Sequence, residues 1–162
     1  DQTKVVIDKI SEIDDFDLIM GSSYGGLAVA NAANELLDRD LRLVLMAPAF
    51  GLAENFQNIA GKDGLKEWEN NGFRPYFHHG LNEEIKLGWD FMISAEKMSW
   101  PKIKHPTVII HGISDEIVSI ESSRKVAGSN SNIELIEVED GHRLGNSLHF
   151  IPIAVEKVFS MQ

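Results

Sequence analysis

The chain has 162 residues and no cysteine, and carries a formal charge of −10 from 25 Asp and Glu against 15 Lys and Arg. That length suits one domain with a substantial core. The composition excludes disulfides, thiolate chemistry and cysteine-ligated zinc, and the acidic balance with scattered basic residues argues against a nucleic-acid partner. No apolar run approaches the roughly 20 residues that a bilayer requires, and the carboxylates of residues 1–20 do not suit a signal peptide. A cytoplasmic protein with a solvating acidic surface and no membrane partner is expected.

In chain order, Val5, Val6, Ile10 and Ile13 fall at helical spacing, which predicts a short amphipathic helix over residues 2–13. Residues 16–20 then read as a buried strand, and the alanine-rich stretch from Tyr24 to about Leu37 as a helix packed closely on a sheet. "LRLVLMAP" (41–48) is a second buried strand stopped by Pro48, and "HPTVIIHG" (105–112) a third with Pro106 at its start. Ser122 to Ala127 suits a helix, "IELIEV" (133–138) a fourth strand, and Ser147 to Phe159 a closing helix with Pro152 in its first turn or breaking it. Near-continuous aliphatic strands alternating with helices predict an α/β fold with a mostly parallel sheet covered on both faces.

Residues 49–104 are too long for a simple crossover. They hold Trp68, Trp89 and Trp100 with Phe50, Phe56, Phe73, Tyr76, Phe77 and Phe91. Two readings stand side by side: a helical cap or lid inserted in the single domain 1–162, or a second small core built of aromatics.

Between the first strand and its helix lies "GSSYGG" (21–26), which matches G-x-S-x-G with Ser23 at the central serine. A serine on a strand-to-helix turn is exposed and strained, and the expectation is that Gly21 and Gly25 provide clearance while Gly26 lets the helix approach the strand. A serine hydroxyl needs a base. "HGISDEIV" puts Asp115 just beyond the third strand, and "EDGHRL" puts His142 just beyond the fourth. All three residues therefore belong to the carboxyl edge of one parallel sheet, where such sheets bind ligands. Glu116 and Asp140 compete with Asp115 for the carboxylate role, and Asp115 is preferred for its place directly after the strand-end turn. His111 and His105 read as structural. His78 and His79 resemble half a metal site without an acidic partner at ligand spacing, so neither metal nor other cofactor is expected.

With "GSSYGG", "HGISDEIV" and "DGHRL" in the order Ser, Asp, His, the chain resembles the α/β-hydrolase superfamily, and within it the small bacterial carboxylesterases and thioesterases. The resemblance implies Ser23 as nucleophile, His142 as general base and then acid, and Asp115 as the group that orients the imidazole. It also implies the Tyr24 N–H as an oxyanion donor and a small-molecule acyl ester or thioester as substrate. The insertion aromatics, Trp89 and Phe91 among them, would then line an acyl pocket. That family begins with several strands, one of whose loops gives a second oxyanion donor, whereas a single helix precedes Phe16 here. The expectation is thus an N-terminally incomplete fold, truncated or completed by a partner, with the nucleophile strand at an open sheet edge through which the chain can oligomerise. The other class of function to weigh is a non-catalytic α/β-hydrolase-like binding or scaffold protein.

Overall fold

A computed structural model describes residues 2–13, 16–78 and 82–161. The chain divides into two units, one of residues 1–50 with 100–162 and one of 51–99.

The first unit is a four-stranded sheet in the order β1-β2-β5-β6, with β1 Leu18–Ser22, β2 Arg42–Met46, β5 Thr107–Gly112 and β6 Ile133–Val138. Every pairing is parallel, and the registers align Ser22 with Met46, Met46 with Ile110, and Gly112 with Val138. The strand ends therefore lie along one carboxyl edge. Among the described residues β1 pairs only with β2, so the strand leading into the serine turn is an edge strand, as expected from the sequence.

Around the sheet run α1 (Gln2–Glu12), α2 (Tyr24–Ala33), α5 (Ile120–Gly128) and α6 (Phe150–Ser160). Val44 and Ala47 from the second strand region, Val108 and Ile110 of β5, and Val138 of β6 pack with Ala154 and Val158 of α6 in one core cluster. Side chains alternate across a strand, so Ile109 and His111 of β5 point to the opposite face. α5 is met there, because His111 reaches Ser123. Pro152 sits in the first turn of α6, where its missing N–H breaks no helical bond. The amphipathic pattern of α1 is narrower than its sequence suggests: Ile10 is buried, whereas Val5 and Ile13 are largely exposed.

The second unit contains α3 (Leu52–Asn71), β3 (Phe73–His78), β4 (Glu83–Gly88) and α4 (Trp89–Met98). It is shorter than the expected 49–104 insertion, and it contains the strands β3 and β4, which neither the helical-cap reading nor the aromatic-core reading specified. They form an antiparallel hairpin. Two features concealed it: β3 carries Pro75, and its most exposed side chains include the aromatic Phe73 and Phe77, the reverse of a simple apolar-inward pattern. Gly61 breaks α3 with a φ of 67°, and Gly72 ends it at a φ of 74°. The aromatics of this unit engage one another. Phe56 lies 4.8 Å edge-on to Phe91, Trp68 lies 5.6 Å edge-on to Trp89, and the Trp68 Nε1–H donates to the Leu87 carbonyl at 2.9 Å. Phe50 and Trp100, which the sequence reading placed in the insertion, belong to the first unit. The Trp100 ring lies under the Lys125 ammonium of α5, at 3.6 Å.

Candidate active site

β1 delivers the chain into Ser23 with φ 52° and ψ −122°, a conformation that costs a non-glycine residue of order 1–3 kcal/mol and persists only when its surroundings over-determine it. Here they do. The Ser23 N–H donates to the Met46 carbonyl at the end of β2 (2.8 Å). The Ser23 carbonyl accepts from the N–H of Ala49 (3.0 Å) and from that of Leu27 in α2 (3.2 Å). The turn is bolted to the neighbouring strand as well as to its own helix.

The glycines divide the work differently from the expectation. A Cβ on Gly21 would lie 2.7 Å from the Gly25 carbonyl oxygen and 2.8 Å from the Gly26 Cα, and one on Gly26 would lie 3.1 Å from the Pro48 Cβ. A Cβ on Gly25 would meet nothing within 4 Å. Clearance is thus needed at Gly21 and Gly26, and Gly25 contributes none.

Asp115 and His142 sit on loops that follow β5 and β6, and those loops are joined. The Ile113 N–H donates to the Val138 carbonyl (2.9 Å) and the Ser114 N–H to the Asp140 carbonyl (3.1 Å). A Cβ on Gly112 would stand 2.3 Å from the Asp140 carbonyl oxygen, so only glycine permits that approach. Asp140 organises the His142 loop from within: one carboxylate oxygen accepts the Gly141 N–H and the other the Asn146 N–H, both at 2.9 Å. Burial alone would raise the Asp140 carboxyl, but the amides of Gly141, Asn146 and Ser147 with the Ser147 hydroxyl hold it below its ordinary value.

The three residues singled out by sequence come together. Ser23 Oγ lies 2.9 Å from His142 Nε2, and His142 Nδ1 lies 2.8 Å from Asp115 Oδ2. The Asp115 side chain is fully buried and that of His142 is 12% exposed. The tautomer follows from the partners: a carboxylate only accepts, so Nδ1 carries the proton and Nε2 presents its lone pair to the serine hydroxyl. Asp115 Oδ1 takes the N–H groups of Ile117 (2.9 Å) and Val118 (2.8 Å). Burial pushes the Asp115 carboxyl up, yet the Val118 amide, His142 and the Ile117 amide outweigh it and leave it below its ordinary 3.8. Of the competing carboxylates, Asp140 is engaged by loop amides and Glu116 is exposed.

Tyr24 is the first residue of α2, so its backbone N–H lies at the positive end of a ten-residue helix. Trp89 and Phe91 lie within the aromatic cluster of 51–99. One residue beside these three was not anticipated in that place. His111, read from sequence as structural, is wholly buried with Nε2 3.1 Å from Asp115 Oδ2. Its place four residues before Asp115, in "HGISD", was the available signal. Among the described residues no group of three or more His, Cys, Asp or Glu is placed to hold a metal ion, and His79 lies outside those residues. No helix among them is long and apolar enough to cross a membrane.

The chain belongs to the Uncharacterised protein family (UPF0227), whose model matches residues 1–157. No curated protein matches it in sequence. Among solved structures it is similar to the alpha/beta hydrolase domain-containing protein 10 from mouse, at a TM-score of 0.79 and 21% identity, covering 97% of this chain and 67% of that one. It is also similar to Est1E from Butyrivibrio proteoclasticus with ferulic acid bound, at a TM-score of 0.72 and 24% identity, covering 96% and 64%. A third is a hydrolase from Agrobacterium vitis S4, described as putative, at a TM-score of 0.71 and 20% identity, covering 87% and 60%. The fold is that of the α/β hydrolases, and the chain spans about three-fifths to two-thirds of the length of these structures.

Proposed function

We propose that this protein is a cytoplasmic serine hydrolase that cleaves small carboxylic esters or thioesters through an acyl-enzyme, without a cofactor. The observation that carries this reading is the continuous hydrogen-bonded line from Ser23 through His142 to a buried Asp115, with the serine held in a strained turn. Ser23 Oγ attacks the acyl carbonyl while His142 Nε2 takes its proton. Asp115 accepts the Nδ1–H throughout, stays ionised and stabilises the imidazolium. Negative charge then develops on the former carbonyl oxygen, where the Tyr24 N–H at the α2 N-terminus donates to it. Collapse breaks the bond to the leaving alcohol or thiol, which receives the proton from His142. Water repeats the sequence on the acyl-serine: His142 removes its proton, the carboxylic acid leaves, and the proton returns to Ser23 Oγ.

Support from relatives is at the level of chemistry class. Est1E was solved with ferulic acid, and another similar structure is described as an esterase from Exiguobacterium antarcticum. Preference among acyl groups is assigned in this proposal to the aromatics of 51–99, including Trp89 and Phe91. Labelling with a fluorophosphonate, which places the phosphoryl group on an activated serine with loss of fluoride, tests the central step. Wild type should label and Ser23→Ala should not; equal labelling of the two would sink the reading and favour a non-catalytic binding protein. A chain-length series of p-nitrophenyl esters tests acyl preference, which Trp89→Ala or Phe91→Ala should shift.

A further inference from the structure

His111 is the penultimate residue of β5, a strand buried at all six of its positions. Its ring makes three close polar contacts. Nδ1 lies 2.7 Å from Ser123 Oγ on α5, and Nε2 lies 3.1 Å from Asp115 Oδ2 and 3.0 Å from the Val118 carbonyl oxygen. Both oxygens facing Nε2 can only accept, so that nitrogen carries the proton. Nδ1 is left with its lone pair, and the Ser123 hydroxyl, also fully buried, donates to it. One neutral tautomer satisfies all four groups. Burial favours the same neutral form, pushing the imidazole below its ordinary 6.5 despite the Val118 carbonyl and Asp115.

This bond completes the surroundings of Asp115. Oδ1 holds two backbone amides, and Oδ2 holds two imidazole N–H groups, from His142 on one side and His111 on the other. A carboxylate offers about four acceptor directions, so every one is taken. The same His111 N–H reaches the Val118 carbonyl, and so ties the 115–118 turn to β5 at both its ends. Nothing in the proposed acyl-transfer steps requires a second histidine here, since the His111 ring bonds to Ser123, Asp115 and Val118 and not to Ser23.

We propose that His111 is a positioning residue for acyl transfer: held in its Nε2–H form by Ser123, it fixes the Asp115 oxygen that His142 uses. The inference rests on the assignment of Ser23, His142 and Asp115 as the catalytic triad. Loss of a group that orients a catalytic ligand through one intervening bond costs about 10–100-fold in metal sites, and a similar loss is expected here.

The test compares two polar replacements that reach opposite ends of the ring. The amide of His111→Gln reaches the place of Nε2 and can donate to Asp115, whereas that of His111→Asn reaches only the place of Nδ1, near Ser123. Each variant, with His111→Leu, is measured for fluorophosphonate labelling rate, for kcat and KM on p-nitrophenyl acetate, and for melting midpoint. The expected result is that Asn and Leu lose about 10–100-fold in kcat and labelling rate at nearly constant KM. Gln should stay within a few-fold of wild type even where its melting midpoint falls as far as that of Asn. In an Asp115→Asn background, exchanging His111 for Asn should change the rate less than twofold, because the residue acts through Asp115. Should Leu fail to fold, the contrast between Gln and Asn decides alone. Equal rates for Gln and Asn, or an undiminished His111→Asn loss in the Asp115→Asn background, overturn the positioning role. Failure of the underlying triad reads differently, since Ser23→Ala and Asp115→Asn would then match wild type.

Discussion

In the sheet of the first unit, β5 is buried along its whole length and the few polar side chains there are bonded at every nitrogen and oxygen; in the unit of 51–99, exposure alternates along β3 and the rings of Phe56, Trp68, Trp89 and Phe91 pack edge-on or stacked. A parallel strand covered on both faces cannot hide a polar group without a designated partner. The polar residues that survive in such a strand are therefore worth reading as machinery. An aromatic cluster has few polar atoms to satisfy and holds together by area and ring geometry. Loss of the bonded polar side chains around β5 should appear first in rate, and loss of a buried ring from the cluster of 51–99 first in stability.

The largest effect expected under that contrast is on turnover. Under the proposed mechanism Asp115→Asn should lower kcat by about 10⁴-fold with little change in KM, the loss seen when the aspartate of a Ser-His-Asp triad becomes asparagine. Glu116→Gln, whose side chain is exposed, should stay near wild type. A dead Glu116→Gln beside an active Asp115→Asn would reassign the carboxylate. Next comes Trp68→Ala, which removes a 1% exposed side chain and its bond to Leu87. About 3–5 kcal/mol of stability should be lost, measured by chemical denaturation; a loss below about 1 kcal/mol would mean that the ring cluster contributes little to the second unit.

Glycine substitutions sharpen the comparison within the first unit. Gly21→Ala and Gly112→Ala each drive a Cβ against backbone that cannot swing away, and should cost about 1–3 kcal/mol or more. Gly25→Ala meets open space inside α2 and should stabilise the protein by up to about 1 kcal/mol through helix propensity. A destabilised Gly25→Ala would restore the clearance role that its place in G-x-S-x-G suggests.

The smallest effect concerns pH. Burial lowers His111 below its ordinary 6.5, with His142 adding to the shift and Asp115 and the Val118 carbonyl opposing it. The folded protein then binds fewer protons than the unfolded chain, so this contribution is complete above about 6.5 and is lost as pH falls through the lower folded value. Asp115 has the same sign from its ordinary 3.8. Denaturation midpoints should therefore decline in two stages on acidification, and His111→Gln should remove the first. A midpoint flat between pH 7 and 5 in wild type contradicts this.

What could be read from sequence follows the same division. β5 lies inside "HPTVIIHG" because a strand buried at every position declares itself by continuous aliphatic residues, and β6, the last strand of the sheet order, matches "IELIEV" residue for residue although Glu134 and Glu137 interrupt its aliphatic run. α2 stops at Ala33, short of the expected Leu37, although apolar Leu36 and Leu37 follow. The residues Ser23, Asp115 and His142 were legible because parallel strands bring their C-terminal loops to one edge whatever the helices between them do. His111 escaped because a histidine inside a buried strand looks like core, and its partner Ser123 sits on a helix that no local pattern links to it. The hairpin escaped because Phe73-Arg74-Pro75-Tyr76-Phe77 carries no apolar/polar alternation in sequence, and Phe73 and Phe77 lie on its outward side, 40% and 46% exposed.

The close approach of Gly112 to Asp140 also bears on how error accumulates across the site. A machinist locating three holes keeps two in tolerance by measuring one from the other, and the Asp115 and His142 loops are located in that way: each is gauged against its neighbour through the Ile113–Val138 and Ser114–Asp140 bonds. A displacement of one carries the other along and leaves the carboxylate–imidazole distance intact. The Ser23 turn takes its reference elsewhere, from Met46 and Ala49 at the end of β2. A shift of β2 against β5 would therefore be expected to change the 2.9 Å contact between Ser23 and His142 before the contact between His142 and Asp115.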